Sequence, residues 1–308
     1  MFTRILLPLD GAARAEEALP FARELALADG AEIFLLHVEA PSAPSPAKAA
    51  IEQRLEALAS DLRAGGVVAR VLSLEGQTPA TIAAVTEAQK IDLIALAPQS
   101  RNLLETLWRP SVTAGVLAKA AVPIFIAPPT HGETPARLLE SSVAQVIVPL
   151  DGSPLAEKAL PVARRIAERY SRGLLLLRVI PPLQVVAAGP GTYPLLRDEA
   201  DLEVKESREY LSVMHDTLQQ TGHVPVQYML EHGIPAEEIL RLVETKPGSM
   251  VVMSTHGRGG LARFMLGSVA LAVARKINIP LLIIPADHTH GHARATAPAL
   301  AQTPAGGK

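Results

Sequence analysis

The 308-residue sequence contains no cysteine. That absence excludes disulfide bonds, thiolate metal sites and a cysteine nucleophile, and it fits a reducing compartment. Aromatic residues make up only 3% of the chain, and neither charge sign dominates, since 29 basic residues against 31 acidic ones leave a formal net charge of -2. Such a balance gives no general attraction to nucleic acid or to an anionic membrane, so we expect neither as a partner.

Long uninterrupted hydrophobic runs are also missing. The most apolar stretch, 174–189, is broken by Arg178 and by two prolines, whereas a membrane-spanning helix needs about 20 consecutive apolar residues. The N-terminal MFTRILLPLD reaches Asp10 after a much shorter apolar run than a signal peptide requires. We therefore predict a cytoplasmic protein.

An internal repeat is the strongest signal in what the sequence does contain. ILLPLDGAARAEEALPFARELA (5–26) aligns with VIVPLDGSPLAEKALPVARRIA (146–167) at an offset of 141, with 12 of 22 positions identical. Farther along, GQTPATIAAV (76–85) aligns with GIPAEEILRL (233–242) at an offset of 157, so the second copy carries a 16-residue insertion. A period of this length is too long for a solenoid and indicates two whole domains.

The repeat and the composition between its copies predict the domain boundaries. We expect domains at 1–128 and 143–285, each of a size typical of an independent core. The segment 129–142, PTHGETPARLLESS, is typical of a linker. The final segment 286–308 is rich in alanine, histidine and proline, which predicts a disordered tail.

Short apolar runs alternate with helical patterns in each copy, which predicts an α/β fold. Five strands alternating with four helices favour a parallel sheet with helices on both faces. A helix is expected to begin at Ser153–Pro154, a capping residue followed by the proline favoured at the first helical position, and Pro161 should kink it. The strands predicted in the second copy are QVIVPL, LLLLRV, VPVQYML, GSMVVMS and PLLIIP.

Two loops at strand ends of the second copy contain residues suited to ligand binding. Asp151 follows the first strand, and STHGRGGLARFMLGS (254–268) begins at the end of the fourth. Ligands of open α/β sheets bind beyond the carboxyl ends of the strands, at the point where the strand order reverses. If the first and fourth strands are neighbours, both loops line one crevice.

The glycine-rich loop favours a phosphate ligand. Its glycines allow positive φ and close backbone approach, and Gly267–Ser268 begin a helix whose unpaired N–H groups suit an anion. A triphosphate nucleotide fits best, although a glycine-rich turn can also serve chain reversal alone. Neither a P-loop nor a G-x-G-x-x-G fingerprint after a first strand is present, which argues against those two nucleotide folds.

These motifs together resemble the universal stress protein family. The resemblance rests on PLDGS after the first strand, on a valine ending the second strand (Val179), and on MSTHGRGG-x6-GS before the closing PLLIIP. It covers nearly all of 1–285 and implies two tandem copies of a Rossmann-like domain, similar to the adenine nucleotide alpha hydrolases. The family pattern G-x2-G-x9-G-[ST] keeps its spacing here, with Ser254 at its first glycine.

The resemblance implies how ATP would be held. Pro149 and Asp151 would contact the nucleoside, and the Val179 backbone would pair with adenine. The residues implied beside ribose and phosphates are Met253, Ser254, His256 and Gly257. Those implied to supply phosphate-facing amides and a hydroxyl are Gly267, Ser268, Val269 and Ala270.

The first copy differs at its corresponding loop. It keeps Pro8, Asp10 and Val38, but Ser100 and Pro110 stand where the second copy has Gly257 and Gly267. Since proline has no N–H, we predict that the first domain does not hold a triphosphate. Its expected role is to pair with the second domain as a built-in partner; a homodimer of the whole chain also stays open.

Three functions remain open at this point. The favoured one is a stress-response regulatory module that binds ATP in its C-terminal domain, with Mg²⁺ able to accompany the nucleotide. The alternatives are a slow ATPase or phosphotransferase at the same site and a nucleotide-free scaffold. No catalytic or resident metal site is predicted, and AMP or another adenosine ligand in place of ATP is not excluded by the pattern.

Overall fold

A computed structural model of the protein describes most of both repeats. For 192–199 it describes the backbone alone. The described residues are 1–39, 48–97, 122–128, 145–182, 192–255 and 267–285.

The N-terminal half alternates strands with helices. Its strands are β1 (Arg4–Pro8), β2 (Glu32–Glu39), β3 (Ala69–Glu75), β4 (Leu93–Leu96) and β5 (Ile124–Ile126). Its helices are a 3-10 turn (Ala15–Ala18), α1 (Leu19–Asp29), α2 (Lys48–Ala64) and α3 (Thr78–Ala88).

The C-terminal half repeats this order. Its strands are β6 (Gln145–Pro149), β7 (Gly173–Ile180), β8 (Val226–His232), β9 (Met250–Ser254) and β10 (Leu281–Ile284). Its helices are α4 (Pro154–Glu157), α5 (Ala159–Arg169), α6 (Thr192–Thr221), α7 (Pro235–Thr245) and α8 (Ser268–Lys276).

All ten of these strands belong to one sheet. Its order is β3-β2-β1-β4-β5-β10-β9-β6-β7-β8. Within each half every strand pair is parallel, and the order reverses between β1 and β4 and again between β6 and β9. The predicted Rossmann-like α/β architecture is confirmed.

Apolar side chains cover both faces of the sheet, as a parallel sheet requires. Val146 and Val148 join the core formed with α1, α2, α5 and α6, whereas Ile147 between them joins the core formed with α3, α7 and α8. Because side chains alternate along a strand, continuous apolar runs such as QVIVP fill both layers at once. The five-strand prediction depended on these runs.

The two halves meet through their last strands. β5 and β10 pair in antiparallel fashion, with Phe125 opposite Leu282. Leu282 is the residue that aligns with Phe125 at the offset of 157, so equivalent residues face each other, as in an isologous dimer interface. Arg169 likewise donates from Nη2 to the carbonyl of Ala28, 2.7 Å away, and these two residues align at the offset of 141.

The helix predicted from Pro154 is divided in two, with α4 ending at Glu157 and α5 beginning at Ala159. Pro161 explains the division, since it has no N–H to donate to the Glu157 carbonyl four residues earlier and its ring crowds that carbonyl. Ser153 caps the start as expected, its Oγ accepting from the Ala156 N–H at 3.2 Å. The predicted kink therefore takes the form of a break.

The insertion of the second copy lengthens a helix. At the offset of 157 the counterpart of Lys48, where α2 begins, is Lys205, yet α6 begins 13 residues earlier at Thr192. In the sequence the helical pattern begins only at 199, and the glycine and proline residues before it predict a loop. The added turns extend α6 beyond the length of its N-terminal counterpart.

Several sequence predictions fall on residues outside the described ranges. They concern the linker 129–142, the tail 286–308 and the first copy's loop with Ser100 and Pro110. Within the described ranges, none of the helices combines the length and the apolar character needed to cross a bilayer.

Candidate functional site

The crevice predicted for the second copy depends on one pairing, that of β6 with β9. The two strands are hydrogen-bonded neighbours, with Val146 opposite Met250 and Ile147 opposite Val251. Their carboxyl ends therefore lie side by side at the point where the strand order reverses. This is where open α/β sheets bind ligands.

A cavity of about 350 Å³ opens at this point. Nine of the eleven predicted site residues line it: Pro149, Asp151, Val179, Met253, Ser254, Gly267, Ser268, Val269 and Ala270. The remaining two, His256 and Gly257, lie outside the described residues. Residues up to about 120 positions apart in the sequence thus line the same cavity.

Asp151 is held in a tight turn after β6. Its Oδ1 accepts from the Ser153 N–H at 3.0 Å and from the Ser153 hydroxyl at 2.6 Å. Gly152 has a φ of 82°, which a residue with a Cβ rarely adopts. The first copy forms the same turn, since Asp10 Oδ1 accepts from the Ala12 N–H at 3.0 Å.

The backbone of Val179 faces the cavity because β7 is longer than β6. The Leu150 N–H donates to the Leu177 carbonyl at 2.7 Å, and on the opposite edge the Gly233 N–H donates to the Ile180 carbonyl at 3.0 Å. Backbone groups of alternate residues on a strand point to the same side. Val179 therefore directs its N–H and C=O, like those of Leu177, toward the β6 side, beyond the end of that strand.

The start of α8 forms the opposite end of the cavity. The N–H groups of Ser268, Val269 and Ala270 occupy the first turn, where a helix offers no carbonyl one turn earlier. The Gly267 N–H is used differently from the prediction, because it donates to the Thr255 carbonyl at 2.7 Å. The donors left at the start of α8 are the next three amides and the Ser268 hydroxyl.

Gly267 also has a φ of -58° and a ψ of 151°. This φ lies within the range that proline adopts. A proline in place of Gly267 would therefore fit this backbone but could not donate to the Thr255 carbonyl.

Ser254, the residue at the family's first glycine, turns its hydroxyl into the protein. The side chain is 6% exposed and its Oγ is buried. Among the described residues this oxygen has no hydrogen-bond partner, and leaving a buried hydroxyl unpaired costs about 1–3 kcal/mol. Ser254 lines the cavity with this oxygen buried.

The structure adds lining residues that the motifs did not indicate. Arg178 and Glu203 bring charges to the wall, and the Thr255 carbonyl accepts from the Gly267 N–H. Arg178 precedes Val179 on β7, so a search for polar residues beside the motif could have found it. Glu203 lies on α6, and no sequence spacing connects it to the crevice.

Arg178 anchors α6 to the end of β7. Arg178 is 5% exposed, its Nε donates to the Ser207 Oγ at 2.7 Å, and its guanidinium carbon lies 5.7 Å from the centre of the Tyr210 ring. The Tyr210 hydroxyl in turn donates to Glu157 Oε1 at 3.0 Å. Burial first, and then the Glu157 carboxylate, raise the pKa of Tyr210 well above its ordinary value.

Comparisons with known proteins bear on the family and the fold of the chain. The sequence model of the universal stress protein family matches twice, over residues 1–128 and 143–285. The chain belongs to the universal stress protein family.

One relative matches nearly the whole chain and another matches about half of it. A universal stress protein of Mycolicibacterium smegmatis is 26% identical over 303 residues, which cover 91% of this chain and 96% of that protein. One of Methanocaldococcus jannaschii is 28% identical over 146 residues, 47% of this chain and 84% of the relative.

Solved structures share the fold. The crystal structure of a universal stress protein from Archaeoglobus fulgidus superposes with a TM-score of 0.67 at 20% identity, covering 92% of this chain and 96% of that chain. At this level of identity the similarity concerns the fold alone.

Proposed function

We propose that this universal stress protein binds ATP in its C-terminal crevice and acts as a nucleotide-dependent regulatory module in a stress response. The observation that carries the proposal is the convergence of nine motif residues on one cavity. Its volume of about 350 Å³ lies within the range of small-molecule sites.

The two ends of the cavity differ in a way that suits a nucleotide. The start of α8 offers three N–H groups and the Ser268 hydroxyl, where helix geometry and dipole favour an anion. The end near β6 and β7 offers the outward-facing backbone of Val179 and the Asp151 carboxylate. A base can pair with such a backbone edge, and ribose hydroxyls can donate to a carboxylate. His256 and Gly257 are proposed to complete the phosphate end.

The proposal gives the two halves different tasks. The C-terminal half binds the nucleotide, and the N-terminal half serves as its partner through the β5–β10 ladder. Nucleotide contact with the start of α8 would change the surface around that helix. Mg²⁺ would enter with the triphosphate, and the cytoplasm is the proposed site of action.

Slow hydrolysis at the same site remains the enzymatic alternative. Phosphoryl transfer needs a group that positions the attacking water near the phosphates. The carboxylates among the described lining residues are Asp151 and Glu203, and both lie toward the β6–β7 end. The geometry of the described residues thus favours binding.

Nucleotide content and stoichiometry test the proposal. We expect protein purified at low salt to release adenine nucleotide, detected by mass spectrometry, and the emptied full chain to bind one ATP in calorimetry. Two equivalent sites would refute the assigned difference between the halves. Absence of binding at millimolar Mg-ATP would favour the scaffold, and steady ADP release would favour the enzyme.

A further inference from the structure

Glu203 lies at the nucleoside end of the cavity. It lines this cavity and also a neighbouring one whose wall includes Gly152, Arg178 and Tyr210. These shared neighbours belong to the β6–β7 side, while α8 begins on the β9 side. The carboxylate therefore lies away from the proposed phosphate donors.

The phase of α6 fixes this placement. Glu203 precedes Ser207 by one helical turn, so the two lie on the same face of the helix. Ser207 is 2% exposed and is bonded to Arg178 at the end of β7. Glu203, one turn farther toward the N-terminus, consequently lies over the crevice beyond that strand.

The charges that line the cavity differ between its two ends. The charged side chains among the described lining residues are Asp151, Arg178 and Glu203, which leaves one net negative charge at the nucleoside end. The opposite end carries the positive pole of α8. A ligand with its phosphates at α8 presents its ribose hydroxyls to the carboxylates, whereas a second phosphate on the ribose would meet repulsion.

We propose that Glu203 is a specificity determinant that favours adenine 5′-nucleotides with free 2′- and 3′-hydroxyls and rejects those that carry a phosphate on either of these hydroxyls. This inference rests on the proposed function, since it assigns the ligand class of that same site. Glu203 belongs to the part of α6 that extends beyond the counterpart of α2. The specificity is therefore a property of the second copy.

The test compares AMP with adenosine 3′,5′-bisphosphate, which differs from AMP only by an additional phosphate on the 3′-hydroxyl. Calorimetry on the full chain should show AMP binding at least about tenfold more tightly to the unchanged protein, given the short-range repulsion between like charges. Glu203→Gln keeps the size of the side chain and removes its charge, and should narrow that ratio about fivefold or more. Glu206→Gln is the matched control, because Glu206 lines the neighbouring cavity without lining this one.

The outcomes separate the two proposals. The role of Glu203 is overturned if Glu203→Gln leaves the ratio of the two affinities unchanged, or if Glu206→Gln narrows that ratio equally. In either case, ATP binding to the unchanged protein still upholds the proposed function. An unchanged protein that binds ATP but does not discriminate between the two ligands also overturns it. If the unchanged protein binds neither ATP nor AMP, the proposed function itself fails, and this inference falls with it.

Discussion

The amide of Ser268 offers a direct test of phosphate binding at α8. Ser268→Pro removes this N–H and the hydroxyl with little strain, because Ser268 is the first helical residue and Gly267 before it has a ψ of 151°. Proline is tolerated at the first helical position, and the residue before proline prefers this extended conformation. Ser268→Ala is the matched control, since it removes the hydroxyl alone.

The difference in ATP affinity between Ser268→Pro and Ser268→Ala gives the contribution of the Ser268 amide alone. A hydrogen bond to a charged group contributes about 1.5–3 kcal/mol, which corresponds to roughly 10- to 150-fold in Kd. We expect Ser268→Ala to weaken Mg-ATP binding about fivefold, as loss of about 1 kcal/mol implies. Ser268→Pro should weaken it by that further factor, measured by calorimetry with thermal melts as the folding control. Equal affinities for the two variants would refute the role of the α8 amides.

Two further predictions follow from the contacts around the site. Gly267→Pro fits the observed φ but breaks the 2.7 Å bond to the Thr255 carbonyl, so both the melting temperature and ATP affinity should fall; a variant unchanged in both would contradict the role of this bond. Tyr210 has a raised folded-state pKa, so its contribution to stability is present below its ordinary pKa of about 10 and is lost as the pH rises above it. The free energy of unfolding, measured by urea denaturation between pH 8 and 11, should therefore fall less steeply with rising pH in Tyr210→Phe than in the unchanged protein. Parallel pH profiles for the two proteins would contradict this link between the Tyr210 pKa and stability.

Most of the local structure could be predicted from the sequence. The β6 and β9 strands were indicated by apolar runs between breakers, and α8 begins at Ser268 as its pattern predicts. These signals are local, because side-chain periodicity and capping depend on neighbours within a few residues. The start of α6 was placed too late, since proline and glycine in the insertion suggested a loop while the first helical turn accommodates Pro194.

Some residues of the candidate site could be indicated without the structure, and others could not. Asp151 was indicated because it follows a strand whose end is visible in the sequence, whereas Pro149 and Val179 were implied only by the resemblance to the universal stress protein family. Glu203 was missed because it reaches the crevice from a helix that the chain brings over the β7 end. The bond from the Gly267 N–H to the Thr255 carbonyl was not predicted, because it joins two residues that only the folded chain brings together.

The sequence by itself determined two similar α/β copies, their strand ends and the helix start that suits an anion, because repetition, periodicity and turn chemistry are local properties of the chain. Only the tertiary structure decided that β6 lies beside β9, that β5 pairs with β10, and that Arg178 holds α6 where Glu203 meets the cavity. These arrangements join segments far apart in the chain. Their free energy comes from packing and hydrogen bonds formed across the whole sheet, which no short window of sequence contains.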